Sequence, residues 1–161
     1  MIKLSQREQP IFIMTIGISG AGKSTWIGQQ TASDANTAVV SPDLIREELT
    51  GNISDQTQNG KVWSIAKQRV VDALRAGKTV ILDATNVDSK QRRSFVQGLP
   101  PSILKAKIFD VDPAEAKKRV RKAIEKGENR SNVPDFVIDK QHEKFKTSTP
   151  QKLQEEGFEI I

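Results

Sequence analysis

The sequence contains no cysteine. Disulfides and thiolate metal sites are therefore excluded, and a reducing compartment suits the chain. It has a single histidine, His142, so no histidine-rich metal centre can form. No apolar run approaches the roughly 20 residues that a membrane-spanning helix needs. The opening stretch "MIKLSQREQP" lacks the apolar core of an export signal. These absences together predict a cytoplasmic protein with no membrane association. Internal repeats and low-complexity tracts are missing as well.

What is present reads as one domain over residues 1–161, long enough for a single core and too short for two. The formal net charge is +5 and the pI about 9.5. Much of the excess lies between Pro113 and Gly127, where Lys117, Lys118, Arg119, Arg121, Lys122 and Lys126 face only Glu115 and Glu125. Such a surface suits a polyanion, a nucleotide or a nucleic acid. The same run also suits a solvated helix face.

After Pro10 comes "IFIMTIGI", a continuous β-prone run of the kind buried on both faces. A glycine-rich turn then opens a helix ending near Ser33. "TAVV" at 37–40 reads as a second strand, and "PDLIREELT" as a helix stopped by Gly51. "KVWSIAKQRVVDALRAG" is a longer helix with Trp63, Ala66, Val70, Ala73 and Leu74 at helical spacing. "TVIL" and "ILKAKIFDV" read as further strands, separated by the helix "DSKQRRSFVQG" and the break at Pro100–Pro101. A basic helix opening with Pro113 follows, then the polar loop "ENRSNVP" and a helix from about Asp135 to Lys146. A short helix near Pro150 to Glu156 and a last strand, "FEII", close the chain. This alternation predicts an α/β fold: a parallel sheet of about four to five strands with helices on both faces. Ligands in such sheets bind at the carboxyl ends of the strands, the edge where Asp43, Asp83 and the glycine-rich loop all fall.

"GISGAGKS", Gly17 to Ser24, matches the pattern G-x-x-x-x-G-K-[ST] of a P-loop, following a buried strand and opening a helix as that motif requires. Gly17, Gly20 and Gly22 let the backbone curl so that N–H groups point at phosphate oxygens. Lys23 sets an ammonium against the outer phosphates, and Ser24 offers its hydroxyl to Mg²⁺. The helix contributes its positive end. The expected ATP-binding set is Gly17, Ser19, Gly20, Ala21, Gly22, Lys23, Ser24 and Thr25. The fold expected is thus of the P-loop NTPase type. The N-K-x-D pattern of guanine-specific switch proteins is absent.

In "SPDLIREE", Asp43 and Arg46 stand three residues apart at a helix start. Ser41 as N-cap, Pro42 in the first turn and Asp43 as an anion near the helix N-terminus account for much of this locally. Beside a P-loop they also supply what a kinase needs: a base for the acceptor hydroxyl and a cation for phosphate.

With these residues in hand, "TIGISGAGKSTW", "SPDLIREELTG" and "VILDATNVDSKQRR" resemble the kinase domains of polynucleotide 5′-hydroxyl kinases from phages and bacterial RNA-repair systems. They are also similar to the wider zeta-toxin-like set of P-loop kinases. The resemblance continues through "DQTQNGKVW", "NVPDFVIDKQHEKF" and "LQEEGFEII", nearly the whole chain. It implies ATP- and Mg²⁺-dependent transfer of the γ-phosphoryl group to a 5′-hydroxyl end of DNA or RNA. It implies that Asp43 is the general base, that Arg46 holds the adjacent acceptor phosphate, and that Asp83 lies near metal and acceptor without directly ligating the ion. Asn86 would support the turn beside the acceptor. A helical lid near the C-terminus would carry a catalytic arginine, Arg130, with Lys126, Arg121 and Arg119 as alternatives; related sequences place an arginine where this chain has Asn132. The same scaffold serves kinases of small acceptors, such as nucleotide sugars, nucleosides or antibiotics. "FDVDPAE" at 109–115 resembles a D-x-D phosphatase motif, but Pro113 and Ala114 replace its Gly-Thr, so no 3′-phosphatase activity is expected. Nothing in the sequence separates DNA from RNA, chooses the donor base or specifies an oligomer.

Overall fold

Strand β1 (Ile11–Ile16) alternates its side chains between two apolar layers. The computed structural model of the chain describes residues 9–161, so most of the N-terminal stretch read above lies outside the described residues. Phe12, Met14 and Ile16 enter the larger core, while Ile13 joins Ile81 and Ile27 on the opposite face. A strand apolar on both sides belongs at the centre of a sheet. β1 holds that place, pairing with β3 (Thr79–Leu82) on one side and β4 (Ile103–Ile108) on the other. With β2 (Thr37–Val40) and β5 (Glu159–Ile160), all pairings are parallel and the order is β2-β3-β1-β4-β5.

Helix α1 (Lys23–Ser33) covers one face through Ile27. The other face is covered by α2 (Pro42–Thr50), α3 (Asn59–Arg75), α4 (Ser89–Val96) and α7 (Pro150–Glu155). Helices α5 (Pro113–Glu125) and α6 (Asp135–Thr147) pack over the carboxyl edge, where Ala116, Val120 and Ile138 close on Ile18. On β4, Leu104, Ala106 and Ile108 face the larger core, whereas Lys105 and Lys107 stay partly exposed on the other side. The alternation of "ILKAKI" already carries that half-exposed pattern.

The structure shifts one expectation and agrees with another, the polar loop before α6. α3 begins at Asn59, and its buried stripe is Val62, Ala66, Val70 and Leu74, at spacings of four. Trp63 flanks the stripe, edge-on to Phe95 at 6.0 Å. The segment spanning the cleft, residues 126–134, is a non-helical strap between α5 and α6. It holds Gly127 and Pro134 and has no apolar periodicity to sustain a helix.

A buried polar cluster ties the C-terminal elements to the sheet. Arg92 is 1% exposed and grips Glu156 with two bonds, Nε to Oε1 at 2.7 Å and Nη2 to Oε2 at 2.9 Å. Its Nη1 donates to the Asn86 carbonyl and to Ser148 Oγ, both at 2.8 Å.

Candidate functional site

The phosphate loop leaves the central strand at the carboxyl edge and is shaped by its glycines. Gly20 has φ +83°, and a Cβ there would lie 2.5 Å from the Ala116 carbonyl oxygen on α5. Only glycine permits both that angle and that approach. Gly22, at φ +97°, caps α1, and no side chain occupies the cap. The first N–H groups of that helix, including those of Lys23 and Ser24, are therefore left for an outside acceptor. Lys23 curls over the loop, its Nζ donating to the carbonyls of Gly17 at 2.9 Å and Ile18 at 2.6 Å. The Ser19 N–H instead donates to Gln141 Oε1 on α6 at 2.9 Å.

A cleft of about 610 Å³ opens over this loop. Of the residues expected to act, Lys23, Ser24, Asp43, Asp83 and Arg130 all line it. Asp43 reaches it from the first turn of α2, which Ser41 caps by accepting from the Leu44 N–H at 3.2 Å. The local helix-start account and the functional one are therefore compatible. Asp43 is half exposed, while the Arg46 side chain is 6% exposed behind it. Arg46 Nη1 bonds Asp43 Oδ1, and Nε and Nη2 share Asn59 Oδ1 at 3.2 and 3.0 Å. Arg46 thus orients the Asp43 carboxylate from beneath and does not itself line the cleft. Asn86 sits lower still. It is buried at φ +50°, with Nδ2 donating to the carbonyls of Thr15 at 2.8 Å and of Leu82 and Ala84 at 3.3 Å. It braces the turn that carries Asp83.

Four basic residues were candidates for the lid cation. Arg130 and Arg119 line the cleft; Arg121 and Lys126 do not. Arg121 pairs with Asp135, and Lys117 with Asp139, so these two of the basic run join α5 to α6. Arg119 leans on Gly20, donating to its carbonyl at 3.3 Å, and is shared with Glu115. Arg130 is half buried and makes no hydrogen bond or ion pair among the described residues. Asp112, from the D-x-D look-alike, caps α5 by accepting from the Ala114 N–H at 2.8 Å.

Sequence reasoning missed the apolar wall of the cleft, Leu44, Ile53 and Val133, as well as Glu128 and Gln141. Leu44, Ile53 and Val133 come from α2, the following loop and the strap, which no local signal brings together.

Burial pulls the Lys23 ammonium down from 10.5 to about 8; Asp83 and Asp43 raise it, and Arg130 lowers it further. Burial likewise pushes the Asp83 carboxyl above its usual range, opposed by Lys23 and reinforced by Asp43. A bound polyphosphate would restore the Lys23 proton. Below about 8 the lysine is already charged; above it, binding must take up a proton. ATP affinity should accordingly fall as pH rises through that value, approaching about tenfold per pH unit. Calorimetric titration at pH values on either side of it, with proton uptake read from two buffers, checks this.

The residues present fit a divalent cation. Ser24 and Asp83 offer hard oxygen donors in the cleft, the class Mg²⁺ prefers. No group of three His, Cys, Asp or Glu among the described residues could cage a metal, so most ligands would be phosphate oxygens and water.

A central parallel strand feeding a phosphate loop, with carboxylates from the next two strand ends facing it, defines a P-loop kinase-type α/β fold. The chain belongs to an AAA domain family, whose model matches residues 12–148. Among solved structures it is similar to a chain of the Pnkp1/Rnl/Hen1 RNA repair complex, at 21% identity and TM-score 0.74, covering 87% of this chain and 45% of that one. A second structure of the Pnkp1/Rnl/Hen1 complex matches at 24% identity and TM-score 0.63, covering 69% and 39%. The chain thus spans less than half the length of these relatives. A gluconokinase from Sinorhizobium meliloti 1021 matches at 18% identity and TM-score 0.51, covering 84% and 74%. No curated protein matches the chain.

Proposed function

We propose that the protein is an ATP-dependent kinase of 5′-hydroxyl nucleic acid ends. The observation that carries it is the meeting of Lys23, Asp43, Asp83 and Arg130 in one cleft above the phosphate loop. In this reading the acceptor hydroxyl gives its proton to the free oxygen of Asp43, whose other oxygen Arg46 holds. The acceptor oxygen bonds the γ-phosphorus as the bond to the β-phosphate oxygen breaks, and ADP leaves. Lys23, the loop N–H groups and Arg130 neutralise the transferring group, so that catalysis is positioning and charge compensation. Ser24 would hold a Mg²⁺ ion with Asp83 nearby in the cleft, and the ion would supply charge compensation at the phosphate oxygens. The basic balance of the chain and the extended motif resemblance support a nucleic acid acceptor.

One observation favours a second reading, a small neutral acceptor. The wall beside Asp43 combines Leu44 and Ile53 with the carboxylate of Glu128, and Arg46 is buried. That surface would suit an uncharged, sugar-like hydroxyl.

Transfer from γ-labelled ATP in Mg²⁺ to 5′-hydroxyl DNA and RNA oligonucleotides separates the readings. Label at the 5′ end is the expected outcome, and the two rates give the preference. ATP binding without labelled oligonucleotide, together with label on a polyol or nucleoside, would replace the first reading by the second.

A further inference from the structure

Elements distant in sequence hold the phosphate loop along its length, and the Gly17 N–H donates to the Thr85 carbonyl at 3.0 Å. A Cβ at Gly17 would come within 3.0 Å of the Phe109 Cβ at the end of β4, and Gly20 lies against Ala116 of α5. Between them, the Ser19 N–H is taken by Gln141 Oε1 at 2.9 Å, across 122 residues of sequence. Ile138, one turn earlier on α6, is fully buried in the cluster that holds Ile18. At its other end the strap before α6 is tied to α2 and the loop after it: Asn129 Nδ2 donates to Glu47 Oε2 at 2.7 Å, and the Asn132 N–H to Ser54 Oγ at 3.1 Å. Strap and α6 together form one bridge from α2 to the phosphate loop.

A loop of this kind acts by presenting N–H groups to anionic oxygens, so the orientation of each peptide plane decides how many converge. The bond to Gln141 sets the plane between Ile18 and Ser19, immediately before the left-handed turn at Gly20. We propose that Gln141 is a positioning residue of the nucleotide site: it fixes the phosphate loop in its phosphate-receiving shape and couples that shape to α6 and the strap. The proposal rests on the reading of Gly17–Ser24 as a nucleotide cradle and is independent of the acceptor's identity.

Gln141→Met keeps the length and helix propensity of the side chain and removes the acceptor oxygen. It should weaken binding of a fluorescent ATP analogue about tenfold. Inorganic tripolyphosphate, which carries neither base nor sugar, should lose about as much as a competitor, because the defect lies in the loop. Amide hydrogen exchange across residues 17–24 should quicken in Gln141→Met, and Gln141→Glu, which restores an acceptor oxygen, should return its protection. Unchanged affinity for both probes, with only a lower Tm, would overturn the proposal by reducing Gln141 to a structural contact. A loss seen with the ATP analogue but not with tripolyphosphate would overturn it as well. A wild-type protein that binds ATP yet phosphorylates no nucleic acid would remove the acceptor reading and leave this one standing.

Discussion

Asp43→Asn should lower phosphoryl transfer by about 10²–10⁴-fold, the range for loss of a general base. The substitution is chosen for what it leaves intact. Asparagine keeps an oxygen able to accept the Arg46 bond that Asp43 Oδ1 now takes, so the α2 start and the buried guanidinium stay satisfied. What disappears is the capacity to accept a proton. ATP binding should stay near wild type, because Asp43 enters the cleft from α2 while the cradle is made by the β1–α1 loop. Single-turnover transfer alongside an ATP titration reads both quantities. A variant that keeps more than about a tenth of the wild-type rate would mean that Asp43 orients the acceptor and another group takes the proton. Arg46→Ala tests the positioning role: it frees Asp43 and removes both Arg46 donors from Asn59 Oδ1, so the rate should fall with the Asp43 carboxylate still present.

Glu156→Ala should cost about 3–5 kcal/mol of folding stability, more than any other single change considered for this chain. The Glu156 side chain is 5% exposed and Arg92 1%, so removing the carboxylate strands a buried guanidinium. Arg92 would keep only its bonds to Asn86 and Ser148. A buried pair is weak evidence of net stabilisation, but breaking one side of it is expensive. The double replacement Arg92→Met with Glu156→Leu should therefore lose less than Glu156→Ala alone, and urea denaturation of the three proteins decides it. Burial works to raise the Glu156 carboxyl, yet the hydrogen bonds from Arg92 and Ser89 outweigh it and hold the group below its usual 4.5. A carboxylate depressed in the folded state stabilises fully above its unfolded value, and that contribution is lost as pH falls through the lower folded one. Acid unfolding of wild type should thus show a component that the double variant lacks.

Local signals located many of the elements. Ser41-Pro42 starts α2 and Gly51, at φ +78°, stops it, so the range read from "PDLIREELT" is the range observed. The strand "TAVV" likewise runs from Thr37 to Val40. α3 shows the limit: Ala66, Val70 and Leu74 of the face read from the sequence form the buried stripe with Val62, while Trp63 and Ala73 pack beside it, partly buried. The sequence did not choose between the neighbours Val62 and Trp63. The choice fell to Phe95, which offers an edge to the indole, while the spacing of four places Val62 in the core. The role of Arg46 was legible only as a charge; its burial against Asn59, thirteen residues on, depends on how α3 crosses α2.

Sequence alone determined the phosphate loop, the parallel α/β character and the carboxylates at the strand ends. Each of these is a contiguous pattern whose physics is local: glycine dihedrals, helix caps, apolar alternation. Tertiary structure decided the order β2-β3-β1-β4-β5, the bond from Gln141 to Ser19, the Arg92–Glu156 cluster and the choice of Arg130 and Arg119 over Arg121 and Lys126 as cations of the cleft. Those depend on side chains separated by tens of residues. Their meeting is set by which strand lies beside which, and that order is chosen by packing of the whole core.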